Sequence, residues 1–282
     1  MRFSISRRAF IASAPIAAAL LAAPKGNAIR VGCQANAWPL KQGDFGQLLK
    51  ALEEMRRLDY LGFECNIKFV QDQLANAGEA RAQIEKTGVH FIGAHTSMGQ
   101  AKPDTFPKSV AGVAALGADF IVMSGNGLAK DGKFEMSALR EKASQIEALA
   151  KTCIQGGIRL AYHNHNPEFT NGNAEIEGLA KATSPELVNF LMDAGHGYLG
   201  GGNPAEFMAG HAKRIVGIHL KTFKGAQQVP LGQGDFGFEA LAAAIKKTGW
   251  TGWLMTEEGG GSKINTAAVG PDRNYIRRIF GV

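Results

Sequence analysis

Three residues in the second half of the chain have the types and the setting of metal ligands. Asp193 and Glu257 each directly follow a short apolar run, and His219 lies within another. Carboxylate and imidazole groups together suit a divalent ion such as Mn²⁺, Co²⁺, Mg²⁺ or Zn²⁺. We therefore expect Asp193, His219 and Glu257 to hold one divalent ion.

Further polar side chains stand at or near the ends of the apolar runs. They are Gln34, Asn36, Glu64, Asn66, His95, Ser124, His163, His165, His196, Lys221 and Glu258. One such residue alone is readily explained as a hydrogen-bonded core residue, whereas a polar group at nearly every run indicates a site. We predict that Glu64, His95 and His196 contact a bound substrate.

The runs that carry these residues have the length and spacing of buried β-strands. They cover residues 29–33, 62–64, 89–94, 119–123, 158–162, 188–192, 215–220 and 253–256. Amphipathic stretches of helical length lie between them, for example 45–58, 136–155 and 238–247. Strands that alternate with helices form βαβ units and a parallel sheet. Eight units predict a single (β/α)8 TIM barrel over residues 29–282, whose strand ends meet at one mouth.

An open, doubly wound sheet is the alternative architecture. Such sheets usually carry a glycine-rich turn after the first strand, whereas residues 34–36 read Gln-Ala-Asn. The seventh strand has an apolar face and a mixed face, formed by Val216, Ile218 and Leu220 and by Gly217, His219 and Lys221. This alternation suits a barrel strand between a helix layer and a lumen. At the end of the last strand, Glu257 lies on the same face as Trp253 and Met255, which is expected to face the lumen. Glu257 is therefore preferred to Glu258 as a ligand.

The composition is that of a globular chain with one sizeable core. The chain has 282 residues, of which 45% are apolar, and a formal net charge of +6. Residues 1–28 contain four basic residues and no acidic one, so the remainder carries a net charge of +2. So small a net charge does not indicate a nucleic-acid-binding surface. Cys33, Cys65 and Cys153 lack a metal-binding spacing and are expected to be small core residues.

The first 28 residues resemble a twin-arginine signal peptide. Residues 6–11 read Ser-Arg-Arg-Ala-Phe-Ile, a mildly apolar run follows at 12–23, and a small-x-small site lies at 26–28. The run is too short and too rich in alanine to span a membrane stably, and an uncleaved anchor is the alternative. The resemblance implies export of the folded protein, to the periplasm or beyond, with no membrane association after the signal is removed.

Four motifs in the second half of the chain resemble one enzyme family. They are Tyr162-His163-Asn164-His165, Asp193-Ala194-Gly195-His196 with Gly201-Gly202-Asn203-Pro204, Ile218-His219-Leu220-Lys221, and Gly252-Trp253 leading to Glu257. Over residues 30–280 the chain resembles the sugar phosphate isomerase/epimerase branch of the xylose isomerase-like TIM barrel superfamily. The aspartate motif is most similar to that of inosose dehydratases. The resemblance implies a fourth metal ligand on the fifth strand, which would be His163, with His165 as its competitor.

The resemblance implies a metal-dependent isomerase or epimerase that acts on a keto-sugar or sugar derivative through an enediolate. Glu257, His163, His165 and Lys221 are then the candidates for proton transfer. A dehydratase acting on a keto-polyol or keto-sugar is the alternative, because loss of a β-hydroxyl starts from the same enolate. A non-catalytic exported sugar-binding protein and a DNA-repair endonuclease of the same superfamily are further alternatives. The low mature charge and the export signal argue against the endonuclease.

Two positions depart from the family pattern. Epimerases of the family commonly carry glutamate where this chain has His163, and the frequent His-Leu-Lys-Asp ends here in Thr222. A histidine that ligates an ion has no free lone pair to act as a base. The first departure therefore shifts the expectation towards elimination without removing epimerisation.

The remaining candidates are weaker. Residues 259–263, Gly-Gly-Gly-Ser-Lys, form either a phosphate-binding loop or a plain loop, and residues 232–236 resemble the turn that precedes the family's eighth helix. His90 and His211 lie outside the strand ends and are expected to be surface or packing residues. The sequence leaves open the sugar, its phosphorylation, the metal and whether the protein forms a homo-oligomer.

Overall fold

Eight parallel strands close into a barrel in the computed structural model, which describes residues 28–130, 133–259 and 266–282. The barrel strands are β1 (Arg30–Gln34), β2 (Gly62–Asn66), β3 (His90–Ser97), β4 (Phe120–Ser124), β5 (Arg159–His163), β6 (Val188–Asp193), β7 (Ile215–Leu220) and β10 (Trp253–Thr256). Their order around the barrel is β1-β10-β7-β6-β5-β4-β3-β2. A separate antiparallel hairpin, β8 (Thr222–Lys224) and β9 (Gln227–Val229), follows β7. The predicted TIM barrel is confirmed, and the open sheet was the wrong alternative.

Helices follow the strands and pack on the outside of the barrel. They are α1 (Phe45–Arg57), α2 (Ala77–Lys86), α3 (Phe106–Ala115), α4 (Met136–Gln155), α5 (Thr170–Ala182), α6 (Ala194–Leu199), α7 (Pro204–His211), α8 (Glu239–Thr248) and α9 (Thr266–Phe280). Helix α1 shows why they form. The Asp44 side chain accepts a hydrogen bond from Gln47 N (3.0 Å) and caps the helix, and Leu48, Leu52 and Met55 are buried along one face.

The core has two parts, one inside the barrel and one between the strands and the helices. The lumen below the mouth is filled by Ile92, Phe120, Val122, Ala161, Leu191, Val216, Trp253 and Met255. Ile218 and Leu220 belong to the outer part, as predicted. The placing of Val216 beside them was wrong, because it packs with the lumen residues. The pairing of β6 with β7 shifts register between Phe190 and Leu191, so strict alternation fails at this level.

The three cysteines are buried and free, as predicted. None of the described helices is long and apolar enough to cross a membrane. The predicted signal segment lies outside the described residues except for Ala28, and the predicted phosphate loop lies outside them except for Gly259. Both assignments stay predictions.

Candidate metal centre

Four buried side chains converge at the carboxyl ends of consecutive barrel strands. His163 ends β5, Asp193 ends β6, His219 lies near the end of β7 and Glu257 directly follows β10. Adjacent parallel strands end at the same edge, so these side chains meet at the mouth. One nitrogen or oxygen atom from each lies within 4.8 Å of those of the other three. We call these four residues the donor group.

The atoms of the donor group lie close enough together to share one ion. His219 Nδ1 lies 2.6 Å from Glu257 Oε2 and 3.1 Å from His163 Nε2. His163 Nε2 is 3.5 Å from Asp193 Oδ2. Neither Asp193 Oδ2 nor Glu257 Oε2 accepts a well-aligned hydrogen bond from the described residues, although both are buried. Buried carboxylate oxygens need a positive partner, which Lys221 supplies here. Two carboxylates with two imidazoles are also a set of ligands that suits a divalent ion. The four residues therefore fit the ion that the sequence predicts.

Burial and neighbouring charges set the protonation states of the donor group. Burial lowers the pKa of His163 to about 3 against the opposing effect of Asp193, so His163 is neutral. Burial also disfavours a charge on His219, but Glu64 and Glu257 outweigh it and raise its pKa to about 10. Burial opposes ionisation of Glu257, yet Lys221 and His219 hold its pKa well below the usual range. A cation bound through His219 Nδ1 would therefore release a proton.

Glu64 lies beneath His219 and orients it. Its Oε2 lies 3.1 Å from His219 Nε2, and its Oε1 lies 2.9 Å from His95 Nδ1 and accepts a hydrogen bond from Gln34 Nε2 (3.2 Å). Burial raises the pKa of the Glu64 carboxyl, but His219 and His95 lower it to about 2. A carboxylate on one imidazole nitrogen leaves the other free to bind metal. The predicted contacts of Glu64 and His95 with substrate stay predictions, and the contact of Glu64 with His219 was not foreseen.

Lys221 is the cation nearest the donor group among the described residues. Its Nζ lies 2.9 Å from Asp193 Oδ2, 3.0 Å from Glu257 Oε2 and 3.2 Å from His196 Nε2. The side chain is 3% exposed. Burial alone would lower the pKa of Lys221, but Asp193 and Glu257 raise it above its usual value, so the amine is protonated. Correspondingly, burial opposes ionisation of Asp193, but Lys221 and His196 hold its pKa below the usual range.

Two further histidines lie at the mouth beside Lys221. Because Lys221 Nζ donates to His196 Nε2, the other ring nitrogen, Nδ1, carries the proton and donates to Asn166 Oδ1. The ring of His165 contacts those of His163 and His196, with centroids 5.1 and 5.2 Å apart. No hydrogen bond to either ring nitrogen of His165 is formed within the described part of the chain. His165 is therefore a histidine at the mouth with both ring nitrogens free to exchange a proton with a substrate.

The structure separates Glu257 from its neighbour Glu258, as strand parity predicts. Glu257 joins the donor group, whereas Glu258 points towards Asp272 of α9. Burial and Asp272 together raise the pKa of Glu258 to about 9, so it is protonated at neutral pH. Asp272 also accepts hydrogen bonds from Leu231 N and Thr256 Oγ1, which ties α9 to β10. Glu258 therefore has a structural partner and is not part of the donor group.

Other polar strand ends serve the local structure. Asn66 and Gln34 cap short turns after β2 and β1, and Ser124 Oγ donates to Thr96 O. His90 pairs with Asp119 (2.9 Å), and His211 pairs with a glutamate of α5, which agrees with their predicted packing roles.

A buried charged cluster behind the mouth was not predicted from the sequence. Lys142 of α4 lies 2.6 Å from Glu175 and 3.4 Å from Glu168, and all three side chains are buried. Glu168 also accepts hydrogen bonds from Tyr162 Oη (2.7 Å) and His165 N (3.1 Å). The cluster thus joins the loop that carries His165 to α4 and α5. A lysine within the apolar stripe of α4 was the available signal.

Comparison with known proteins agrees with the barrel fold. Residues 52–279 match the family model of the xylose isomerase-like TIM barrel. Inosose dehydratase of Geobacillus kaustophilus is 26% identical over 274 residues, covering 82% of this chain and 87% of that protein. The rhizopine catabolism protein MocC of Rhizobium meliloti is 31% identical over 132 residues, which span only 40% of either chain.

Two solved structures share the fold. The IOLI protein with a bound zinc atom has a TM-score of 0.70 at 13% identity, covering 90% of this chain and 98% of that one. The 3-keto-D-glucoside 4-epimerase YcjR of Escherichia coli has a TM-score of 0.66 at 15% identity, covering 90% and 100%. With a closed eight-stranded barrel and a family match over most of its length, the chain belongs to the xylose isomerase-like TIM barrel family.

Proposed function

We propose that the protein is a divalent-metal-dependent dehydratase that removes water from a keto-polyol or keto-sugar. The observation that carries the proposal is the place of His163, whose Nε2 lies within the donor group. Epimerases of the resembled branch commonly carry a glutamate at that position. The dehydratase name of the Geobacillus kaustophilus relative supports the same reaction.

A matched pair of acid–base glutamates is not available in the described part of the site. Asp193 and Glu257 belong to the donor group, and Glu64 is engaged through both carboxylate oxygens by His219, His95 and Gln34. Inversion of a stereocentre needs a proton donor and a proton acceptor on opposite faces of a planar enolate. Elimination needs a base for one proton and an acid for the leaving hydroxyl. Two side chains of different types can supply these two roles.

The donor group would hold the ion. A bound divalent ion would supply Lewis-acid polarisation of the substrate carbonyl, which acidifies the neighbouring C–H bond. Glu64 contributes by fixing the orientation of His219. The zinc atom in the IOLI structure supports a metal in a barrel of this fold.

The proposed base is His165, whose ring nitrogens hold no hydrogen bond in the described structure. It would remove the proton from the carbon next to the carbonyl, and the electron pair of that C–H bond would form the enolate. As the C–O bond of the β-hydroxyl breaks, Lys221 would give that oxygen a proton, and water would leave. The product is an unsaturated ketone. His196 Nε2, 3.2 Å from Lys221 Nζ, accepts a hydrogen bond from the amine and holds it beside the site.

Epimerisation is the second candidate function. The fold likeness to the Escherichia coli 3-keto-D-glucoside 4-epimerase favours it, and the first step would be the same proton removal. The two reactions differ in their second step, because an epimerase returns the proton to the same carbon on the other face.

A solvent-exchange experiment distinguishes these reactions. An inosose and a panel of keto-sugars, with and without phosphate, are incubated with the Mn²⁺-loaded protein in deuterated water and followed by NMR. We expect loss of the α-hydrogen with a new unsaturated or dicarbonyl product, and no reaction after chelation or in His165→Asn. The matched control is His211→Asn, outside the mouth, which should react like the wild type.

Exchange with an inverted centre and no unsaturated product would overturn the dehydratase in favour of the epimerase. Ligand binding that survives chelation without any turnover would instead favour a non-catalytic sugar-binding protein.

We propose in addition that the protein is exported by the twin-arginine pathway. The support is the Ser-Arg-Arg-Ala-Phe-Ile segment at residues 6–11 and the mildly apolar run after it. A protein that folds around a metal ion before export suits that route.

A further inference from the structure

Lys221 lies against the same two oxygen atoms that the ion would bind. Its Nζ is 2.9 Å from Asp193 Oδ2 and 3.0 Å from Glu257 Oε2. We propose that Lys221 is an internal cation that competes with the divalent ion, and that ion binding displaces its ammonium group from the two carboxylates towards His196. The proposal rests on the metal centre of the proposed function.

The charge of the site supports this competition. Asp193 and Glu257 are buried carboxylates that must be neutralised, and Lys221 is the described cation that reaches both. An ammonium and a divalent ion on the same two oxygens would repel each other strongly at this distance and burial. The two cations are therefore alternative occupants rather than joint ones.

The way in which Lys221 is held also supports the competition. Although its Nζ is within ion-pair distance of Asp193 Oδ2 and Glu257 Oε2, both oxygens lack an aligned hydrogen-bond donor in the described structure. The contact of the ammonium group with the two carboxylates is thus mainly electrostatic, with little stabilisation from aligned hydrogen bonds. An ion of higher charge can replace such a partner, because it also binds the imidazoles of the donor group.

The amine of Lys221 also has a further partner nearby. His196 Nε2 is 3.2 Å from Lys221 Nζ, and the hydrogen bond from His196 Nδ1 to Asn166 holds the ring with Nε2 towards the amine. His196 is 20% exposed, at the mouth. A displaced ammonium therefore keeps an acceptor and comes nearer to the substrate side of the site.

The chain also leaves room beside the lysine. A Cβ atom at Gly195 would lie well inside contact distance of both Lys221 Cγ and Lys221 O. Glycine at this position, in the Asp-Ala-Gly-His motif, therefore allows the lysine stem to pass directly beside the donor group. Any larger residue would collide with both the lysine stem and the Lys221 carbonyl.

Competition of this kind predicts that removal of the lysine charge strengthens ion binding. We expect Lys221→Met to bind Mn²⁺ at least tenfold more tightly than the wild type. Lys221→Arg keeps the charge and should not gain affinity. Without its cation, the metal-free Lys221→Met protein should melt at a lower temperature and gain more from added Mn²⁺ than the wild type does.

The experiment titrates the chelator-treated full-length protein with Mn²⁺ and measures free ion by electron paramagnetic resonance. Lys224→Met, an exposed lysine of the neighbouring hairpin, is the matched control and should bind like the wild type. Lys221→Gln, which can keep a hydrogen bond to His196, carries the same test if Lys221→Met does not fold.

Tighter binding in the neutral variants alone supports the competition. Unchanged or weaker binding in them would overturn it and make Lys221 a partner of the bound ion, leaving the metal centre intact. Tighter Mn²⁺ binding in Lys221→Arg as well would show that the charge of Lys221 is not the cause and would overturn the proposal. Absence of Mn²⁺ binding in the wild type and every variant would overturn the metal centre of the proposed function, and the competition with it.

Discussion

Replacing Glu64 with glutamine should weaken the binding of a divalent ion by about 10- to 100-fold. Glu64 is fully buried and does not belong to the donor group, so the change keeps all four proposed ligands. It acts through His219, whose Nε2 lies 3.1 Å from Glu64 Oε2 and whose Nδ1 faces the other donors.

The magnitude comes from the hydrogen bonds that an amide can make. Glu64 Oε1 lies 2.9 Å from His95 Nδ1 and accepts a hydrogen bond from Gln34 Nε2 (3.2 Å). Glu64 Oε2 lies 3.1 Å from His219 Nε2. Glutamine offers one oxygen and one NH₂ group, so one side of the residue must place a donor against a donor. If the NH₂ faces His219, the Nε2 proton loses its acceptor and the ring loses its preferred orientation. The expected loss of affinity corresponds to about 1.4–2.7 kcal/mol.

The assay is a titration of the chelator-treated protein with Mn²⁺ in competition with an indicator of known affinity. Glu79→Gln, on the exposed face of α2, is the matched control and should bind Mn²⁺ like the wild type. Wild-type affinity in Glu64→Gln would refute the positioning role. If that variant instead raised only the KM for a substrate, the direct substrate contact predicted from sequence would be supported.

Three further predictions concern other parts of the chain. Lys142→Met should lower the free energy of unfolding by about 3–5 kcal/mol, because two buried carboxylates lose their ammonium partner. Chemical denaturation measures it, with the exposed Lys151→Met as control, and a loss below about 1 kcal/mol would contradict it. The three buried cysteines should not react with a thiol reagent at neutral pH until the protein is unfolded. Burial raises the pKa of these thiols, for Cys153 to about 12. Rapid labelling of the native protein would show this prediction to be wrong. Replacing Arg7 and Arg8 with lysine should leave precursor in the cytoplasm, and undiminished export of that variant would disprove the twin-arginine prediction.

The barrel could be predicted from sequence because its determinants are local and repeated. Each strand is a short apolar run followed by an amphipathic helix, and eight such units can close in few ways. The same argument brings the strand ends together, and the structure places His163, Asp193, His219 and Glu257 within one donor group. Parity failed at Val216, because one shift of register between β6 and β7 cannot be read from either strand alone.

The residues around the donor group depended on the tertiary structure. The sequence indicates that Glu64 and Lys221 lie at the mouth, but not that Glu64 lies under His219 or that Lys221 lies between Asp193 and Glu257. These contacts join strands that are far apart in the sequence, and they depend on the direction of each side chain. Periodicity determines the face and level of a residue, whereas its partner is decided by the packing of the whole barrel.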